Sequence, residues 1–292
     1  MNSAFMNLSL DVAFSIEQKS ALQASMVILQ KEYKFNQVLF WGKILGIKAD
    51  YFILKGLGTN ELNDKAFLYS LNCMEWFLLP PVSEDFVQNV TSIKGPFVGD
   101  LSFEYEYTDA SLADEEHTKP EDVTQVLVAN LPDIHVDTFI SLLILTKVHI
   151  NEEVRLVAVI TLIEREAAVV PRGAYIKDSQ GFITVNRMFE GLSMNEAKKL
   201  ESYLHFSNPV NKVKRSLLLK ADYDPSIDFL NSLEDDKPKG TWILQFQKGN
   251  SVVLLRSLLW LGLSFYHYLS TINHGYVYVG TGQKNLDFPF MF

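Results

Sequence analysis

The chain has 292 residues, of which 48% are hydrophobic and 21% charged, a balance typical of a soluble globular protein with one large core or two smaller ones. Its formal net charge of -9 disfavours binding to nucleic acid or to an anionic membrane surface. Cys73 is the single cysteine, which excludes an intramolecular disulfide framework and a cysteine-based metal cluster and fits a reducing compartment.

A capping box predicts the first helix. Ser15 can accept from the backbone amide of Gln18, and the Gln18 side chain can accept from the amide of Ser15 in return. The apolar residues that follow recur on one helical face, at Leu22, Met26 and Leu29. We therefore predict an amphipathic helix that ends near Tyr33. The residues before it carry no basic leader, so no secretory signal is expected.

The next part of the chain is rich in strand-forming residues. Gln37 to Lys55 predicts two strands joined by a connection at Gly46 to Asp50, because aromatic and branched residues dominate on either side of it. Phe67 to Leu79 continues the same pattern, and Pro80-Pro81 ends it because proline cannot donate to a sheet.

Acidic residues dominate the middle of the chain, from Asp100 to Asp122. We interpret this stretch as a solvated loop or linker, with an acidic contact for a basic neighbour as the alternative. Thr124 to Ile150 then contains apolar segments without clear helix caps or turn residues.

Three further helices are indicated after residue 150. Asn151 followed by two glutamates predicts the start of the first, although its β-branched residues leave a strand possible. Ser193 and Glu196 form a second capping box. Asp224-Pro225 predicts the start of another helix, closed by Asp235 to Pro238.

The C-terminal stretch, Lys239 to Gly282, predicts an antiparallel sheet. Lys248-Gly249-Asn250 supplies a hairpin turn between apolar runs, and Asn273-His274-Gly275 supplies a second turn. Ser251 to Leu269 is almost long enough to cross a membrane, but Arg256 within it would cost at least about 2.5 kcal/mol in the bilayer centre. We therefore predict core strands and no membrane insertion.

No motif of a known active site is found in the sequence. Tyr51 and Lys55 have the spacing of short-chain dehydrogenases, but no glycine-rich strand-to-helix turn precedes them, so chance explains the match. The histidines are scattered, although His267 and His274 flank a turn and could approach each other. We predict no enzyme and no catalytic, cofactor-binding or metal-ligating residue.

Several long strings of the sequence resemble the radial spoke head proteins. The strings are VLFWGKILGIKADYFI (Val38 to Ile53), SLNCMEWFLLPP (Ser70 to Pro81), VVPRGAY (Val169 to Tyr175), NRMFEGLSMNEAKKLESYLHF (Asn186 to Phe206), DPSIDFLNSLEDD (Asp224 to Asp236), VVLLRSLLWLGLSFYH (Val252 to His267) and GYVYVGTGQKNLDFPFM (Gly275 to Met291). Parts of the second half are also similar to radial spoke head proteins 4 and 6.

This resemblance implies a structural subunit of the radial spoke head in the axoneme of motile cilia and flagella, a cytoplasmic cytoskeletal location. The implied partners are other spoke head subunits, especially the relatives of proteins 4 and 6, with the central pair reached indirectly. It implies no cofactor. Thr124 to Ile150 departs from the family pattern, which suggests an inserted or alternatively spliced segment.

The expected fold class is α+β, with an antiparallel sheet-rich core, several short amphipathic helices and a C-terminal antiparallel sheet. We predict a helix and a strand-rich half over residues 1–100, an acidic linker and atypical apolar insertion over 101–150, and an α+β half with the terminal sheet over 151–292. The alternative function is a small-molecule-binding domain or an enzyme of unrecognised type, with a cleft between the two halves.

Overall fold

The computed structural model describes residues 14–83, 87, 90, 93, 95–108, 147–207 and 227–288. Its α-helices are α1 (Ile16–Glu32), α2 (Glu152–Ala167) and α3 (Met194–Ala197), with 3-10 turns at Leu200–Ser202 and Leu233–Asp235. Its strands are β1 (Gln37–Ile44), β2 (Tyr51–Leu57), β3 (Lys65–Ser70), β4 (Phe77–Leu78), β5 (Glu104–Thr108), β6 (Lys147–Asn151), β7 (Val169–Pro171), β8 (Tyr175–Lys177), β9 (Ile183–Val185), β10 (Tyr203–Phe206), β11 (Leu230–Ser232), β12 (Trp242–Gln247), β13 (Val252–Ser257), β14 (Leu263–Tyr268) and β15 (His274–Gly280).

The main element is an eight-stranded sheet in the order β12-β13-β14-β15-β1-β2-β3-β4. Every neighbouring pair is antiparallel except β1 and β15, which run parallel. Strands from the beginning and the end of the described chain therefore meet at this one seam. The predicted α+β class with an antiparallel C-terminal sheet is confirmed, and that sheet continues directly into the N-terminal strands.

A glycine permits the close approach of the two strands at the seam. Gly42 pairs with Tyr278 next to a register shift in β1. A Cβ atom at Gly42 would lie 2.2 Å from the carbonyl oxygen of Tyr278, far inside any normal contact distance. The backbones can pair there only because residue 42 has no side chain.

Helix α1 covers apolar residues of the N-terminal strands. Its buried residues, Leu22, Met26 and Leu29, join a cluster that contains Phe14, Val38, Phe40, Phe52, Leu54, Leu68, Cys73 and Val277. Each large side chain buried in this way contributes about 1.5–3 kcal/mol. The predicted capping box is present, since Ser15 and Gln18 accept from each other's backbone amides.

A smaller three-stranded sheet has the order β11-β10-β7. Its β11 overlaps the helix predicted to run from Asp224-Pro225 to Asp235, and that prediction is wrong over the described residues. Phe229 is fully buried, and Leu230 pairs with Phe206 in the antiparallel ladder. Burial and strand pairing therefore override the helix-start signal.

Two other predictions need correction in detail. The acidic stretch predicted as a loop begins with strand β5, which pairs with β6; residues 109–146, which include most of the predicted apolar insertion, lie outside the described residues. The turn predicted at Asn273-His274-Gly275 is displaced, because His274 and Gly275 already pair within β15.

Most of the remaining predictions are confirmed. The turn at Lys248-Gly249-Asn250 has positive φ at all three residues, as a turn of this kind requires. Glu152–Ala167 is a helix, and Ser193 caps a short one through its box with Glu196. Ser251 to Leu269 forms β13 and β14, and no helix within the described ranges is long and apolar enough to cross a membrane.

The chain divides into two compact units. The first comprises residues 1–80, 95–99 and 160–292, and it contains the eight-stranded sheet. The second comprises residues 81–94 and 100–159, and it contains the β5–β6 pair. Within the second unit, the hydroxyl of Tyr105 donates to Glu152, and the Arg155 guanidinium lies 4.5 Å from the Tyr105 ring centre. The predicted boundaries at residues 100 and 150 stay a prediction.

Candidate functional site

A cleft of about 450 Å³ opens on the first unit. Its lining includes the polar groups of Gln37, Lys55, Glu61 and Tyr276 and apolar surface from Leu39, Leu57, Val170 and Phe206. The volume is in the range of small-ligand sites. The cleft draws on residues 37–61 and 169–276, so its walls come from both predicted halves of the chain.

A buried carboxylate lies beside this cleft. Glu164, near the end of α2, has a side chain only 2% exposed. It accepts hydrogen bonds from Lys55 Nζ at 2.5 Å, the Tyr276 hydroxyl at 2.5 Å and Trp41 Nε1 at 3.0 Å. Lys65 Nζ lies 3.5 Å from the same carboxylate. We call Glu164 and these four residues the Glu164 cluster.

The four partners of Glu164 come from consecutive strands of the sheet. Tyr276 is on β15, Trp41 on β1, Lys55 on β2 and Lys65 on β3. One carboxylate therefore joins the C-terminal and N-terminal strands on both sides of the parallel seam. Lys55 Nζ also donates to the Tyr276 hydroxyl at 3.2 Å, which adds a direct link across β1.

Glu164 and Tyr276 each keep one protonation state at neutral pH. Burial opposes the charged form of Glu164, but Lys55 and Lys65, together with hydrogen bonds, lower the pKa of Glu164 to about 2. Burial and the adjacent Glu164 raise the pKa of Tyr276 well above its ordinary value. Glu164 is thus an anion and Tyr276 a neutral donor, and neither is poised to exchange a proton near pH 7.

Burial shifts the pKa values of Lys65, which belongs to the cluster, and of Glu61, which lies near it, toward the neutral forms. Burial raises the pKa of Glu61, and it lowers the pKa of Lys65. Glu61 lines the cleft and can bind a polar or cationic group there. Within the described ranges, no set of histidine, cysteine, aspartate and glutamate residues could hold a metal ion.

Indole-to-carboxylate hydrogen bonds recur in the first unit. Besides Trp41 and Glu164, Trp260 Nε1 donates to Glu166 at 2.9 Å and Trp242 Nε1 donates to Asp236 at 2.9 Å. Glu166 also binds Lys284 Nζ at 2.8 Å. These contacts attach helix α2 and the segment before β12 to the sheet, so they stabilise the arrangement of elements rather than perform chemistry.

The histidines that the sequence placed beside a turn do come together. His267 and His274 are cross-strand partners on β14 and β15, with ring centres 6.3 Å apart. His267 Nε2 accepts from the amide of Leu192 at 3.1 Å, so its Nδ1 carries the proton and donates to the carbonyl of Asn273. The ring is fully buried, and burial and then His274 lower the pKa of His267 to about 4.

Because His267 is buried in its neutral form, we expect the stability of the chain to depend on pH. The folded-state pKa of His267 lies below its ordinary value of 6.5, so the unfolded chain binds the proton more tightly. The contribution is complete above about pH 6.5 and is lost as the pH falls toward 4, to a total of about 3 kcal/mol. Urea unfolding at pH 7 and pH 5 should show about 2 kcal/mol of this loss in wild type and a smaller decline in His267→Gln. Equal declines in both proteins would contradict it.

The sequence did not identify the Glu164 cluster. Tyr51 and Lys55, noted for their dehydrogenase-like spacing, both lie on strand β2, so the rejection of that motif agrees with the structure. The available signal for the cluster was an acidic residue on the apolar face of a helix, together with a lysine in an apolar strand. Neither predicts which charges meet, because the pairing depends on strand order.

Comparison with known proteins identifies close relatives. A family model described as "Radial spokehead-like protein" matches residues 1–66. The chain is 46% identical over 298 residues to a human protein named "Radial spoke head protein 9 homolog", with both chains covered completely. It is 48% identical over 278 residues to the protein of that name from Bos taurus, covering 95% of this chain and 92% of the relative. The Danio rerio protein of that name is 44% identical over 299 residues, again with complete coverage.

Proposed function

Because the chain belongs to the radial spoke head protein 9 family, we propose that it works as a non-enzymatic structural subunit of the radial spoke head. It is part of a radial spoke complex, a cytoskeletal component of the axoneme in cilia and flagella. The observation that carries this proposal is the full-length similarity to relatives of that name.

The geometry supports a mechanical role. The eight-stranded sheet is continuous from β12 to β4, and the Glu164 cluster joins four of its strands to helix α2. A close-packed sheet whose strands are joined by buried hydrogen bonds deforms little under load. In this role the first unit transmits force as a stiff element and contributes to the beat pattern of the cilium.

Its proposed direct partners are the relatives of radial spoke head proteins 4 and 6. The central pair is contacted indirectly, through the assembled head. Large apolar side chains that a single chain leaves exposed support such contacts, among them Val27, Ile28, Met74 and Phe77. Interfaces of stable subunits bury more than about 1,000 Å² and use apolar and aromatic side chains of this kind.

A small-molecule function would use the cleft, whose volume and Glu61 carboxylate suit a polar ligand. The carboxylate beside it argues against catalysis there. Glu164 already has an indole, an ammonium and a hydroxyl donor, so it offers no free acid or base. The structural role therefore accounts for more of the observed contacts.

Fractionation of cilia tests the proposal. We express the tagged chain in ciliated cells that lack their own copy. We expect it to remain in detergent-extracted axonemes and to be removed from them only by treatments that also remove the spoke heads. A protein found in the soluble fraction, with spoke heads intact in its absence, would contradict the proposed function.

A further inference from the structure

The two edges of the eight-stranded sheet differ. Strand β4 forms one edge; it has two residues, Phe77 and Leu78, and Pro80-Pro81 follows closely. A short strand ended by prolines is a common way to prevent further pairing. Strand β12 forms the other edge, and its six residues, WILQFQ, include neither a charge nor a proline.

One set of backbone groups on β12 points away from β13. The amide of Leu258 donates to the carbonyl of Thr241, so residues 241 and 258 form a hydrogen-bonded pair of the antiparallel ladder. Because such pairs alternate, the backbone groups of Trp242, Leu244 and Phe246 point away from β13. Among the described strands, β13 is the one neighbour of β12.

The side chains of β12 are also less covered than those of its neighbour. Ile243 is 39% exposed, and Leu244 and Phe246 are half-buried. In β13, by contrast, every residue except Arg256 is buried. A further strand beside β12 would cover apolar side chains on both faces of the sheet.

Basic residues border β12, although Asp236 lies beside its first residue and accepts from Trp242 Nε1 at 2.9 Å. Between Lys237 and Leu286 the sequence contains no aspartate or glutamate, although the whole chain carries a net charge of -9. Lys239 and Lys248 border β12 at its two ends, and Arg256 is the cross-strand partner of Ile243. An incoming strand is therefore favoured if its centre is uncharged and the end beside Lys248 carries aspartate or glutamate.

We propose that β12 is the site at which a strand of another spoke head subunit adds to the sheet. The added strand pairs with the outward backbone groups of Trp242, Leu244 and Phe246, and its acidic end lies near Lys248. Main-chain hydrogen bonds provide the affinity in this mode of recognition, and the flanking charges provide orientation. The identity of the partner as a spoke head subunit rests on the proposed function.

Substitutions at Leu244 test the site. Leu244→Pro removes an outward amide that the ladder with β13 does not use, whereas Leu244→Val keeps that amide and shortens the side chain. Expressed as full chains in ciliated cells without their own copy, the proline variant should be retained in axonemes at least tenfold less than the valine variant. Thermal melting of both purified chains shows whether each one folds.

Ile243→Lys tests the same edge without changing the backbone. It places a charge in the middle of an exposed edge strand, as natural proteins do to prevent pairing. We expect it to fold and to show the same loss of axonemal retention. Retention equal to that of wild type for a folded Leu244→Pro or Ile243→Lys chain would overturn the inference.

Photo-crosslinking identifies the added strand. With a benzoylphenylalanine in place of Gln245, crosslinks in intact axonemes should reach an uncharged segment of another spoke protein that has an acidic residue at one end. Crosslinks to this chain itself, to a second copy or to no protein would overturn strand addition while the chain remains in the axoneme. Absence of the wild-type chain from the axoneme would instead overturn the proposed function and the inference with it.

Discussion

Replacing Glu164 with glutamine is expected to lower the free energy of unfolding by about 3–5 kcal/mol, because it leaves the buried ammonium of Lys55 without a counter-charge. Lys55 is only 5% exposed, so water cannot take over the role of the carboxylate. In a chain of this size the loss corresponds to a melting temperature lower by about 5–8 °C. Calorimetry or urea unfolding of the purified chain measures it.

Glu166→Gln is the matched control. Glu166 lies two residues further along the same helix and also accepts from an indole and an ammonium group, but its side chain is 28% exposed. Solvent weakens such a pair, so we expect a loss of at most about 1 kcal/mol. Equal losses in Glu164→Gln and Glu166→Gln would show that the buried Glu164 cluster contributes no more to stability than the partly exposed contacts of Glu166.

Lys55→Met should lower the free energy of unfolding less when Glu164→Gln is already present. Lys55→Met removes the charge that Glu164→Gln leaves unpaired, so the double variant is expected to lose clearly less than the sum of the two single losses. Additive losses would mean that Lys55 and Glu164 do not depend on each other.

Replacing Gly42 with alanine is expected to cost about 3 kcal/mol. The new Cβ would lie 2.2 Å from the carbonyl oxygen of Tyr278, and because that atom belongs to the backbone, the strands themselves must separate. The change therefore acts on the parallel seam between β1 and β15. Hydrogen exchange should show faster exchange in both strands, alongside the lower free energy of unfolding.

Gly249→Asn is the control for the glycine effect. Gly249 also has a positive φ, 64°, but nothing lies within 4 Å of the position of its Cβ. Asparagine is tolerated in this backbone conformation, so the loss should stay below about 1 kcal/mol. A Gly42→Ala chain as stable as Gly249→Asn would show that the seam accommodates a side chain.

Local signals in the sequence predict much of this fold. The capping boxes at Ser15 and Ser193 and the turn at Lys248-Gly249-Asn250 each depend on a few neighbouring residues, and all three are present in the structure. The helix predicted from Asp224-Pro225 failed because distant partners decide the conformation of Leu230.

The sheet order and the Glu164 cluster could not be predicted in this way. The parallel pairing of Gly42 with Tyr278 joins residues at opposite ends of the chain, and no local pattern specifies it. Once that pairing is known, the meeting of Trp41, Lys55 and Tyr276 around one carboxylate follows from the strand order. The sequence therefore indicates the strands, and the core contacts determine their neighbours.

The seam also explains how a subunit of this kind can remain rigid. If β1 and β15 separated easily, the N-terminal and C-terminal strands would move as two sheets. The Glu164 cluster opposes this separation, because opening the seam would expose or unpair a buried anion and a buried cation. The rigidity of the sheet thus depends on the residues of the Glu164 cluster.

Native-state hydrogen exchange across the seam tests the continuous sheet most directly. The amides of β1 and β15 should exchange only through global unfolding, with the same free energy as those of the buried strand β13. That free energy should fall equally in all three strands in Glu164→Gln. Exchange of β1 and β15 through a local opening several kcal/mol below that of β13 would contradict the account.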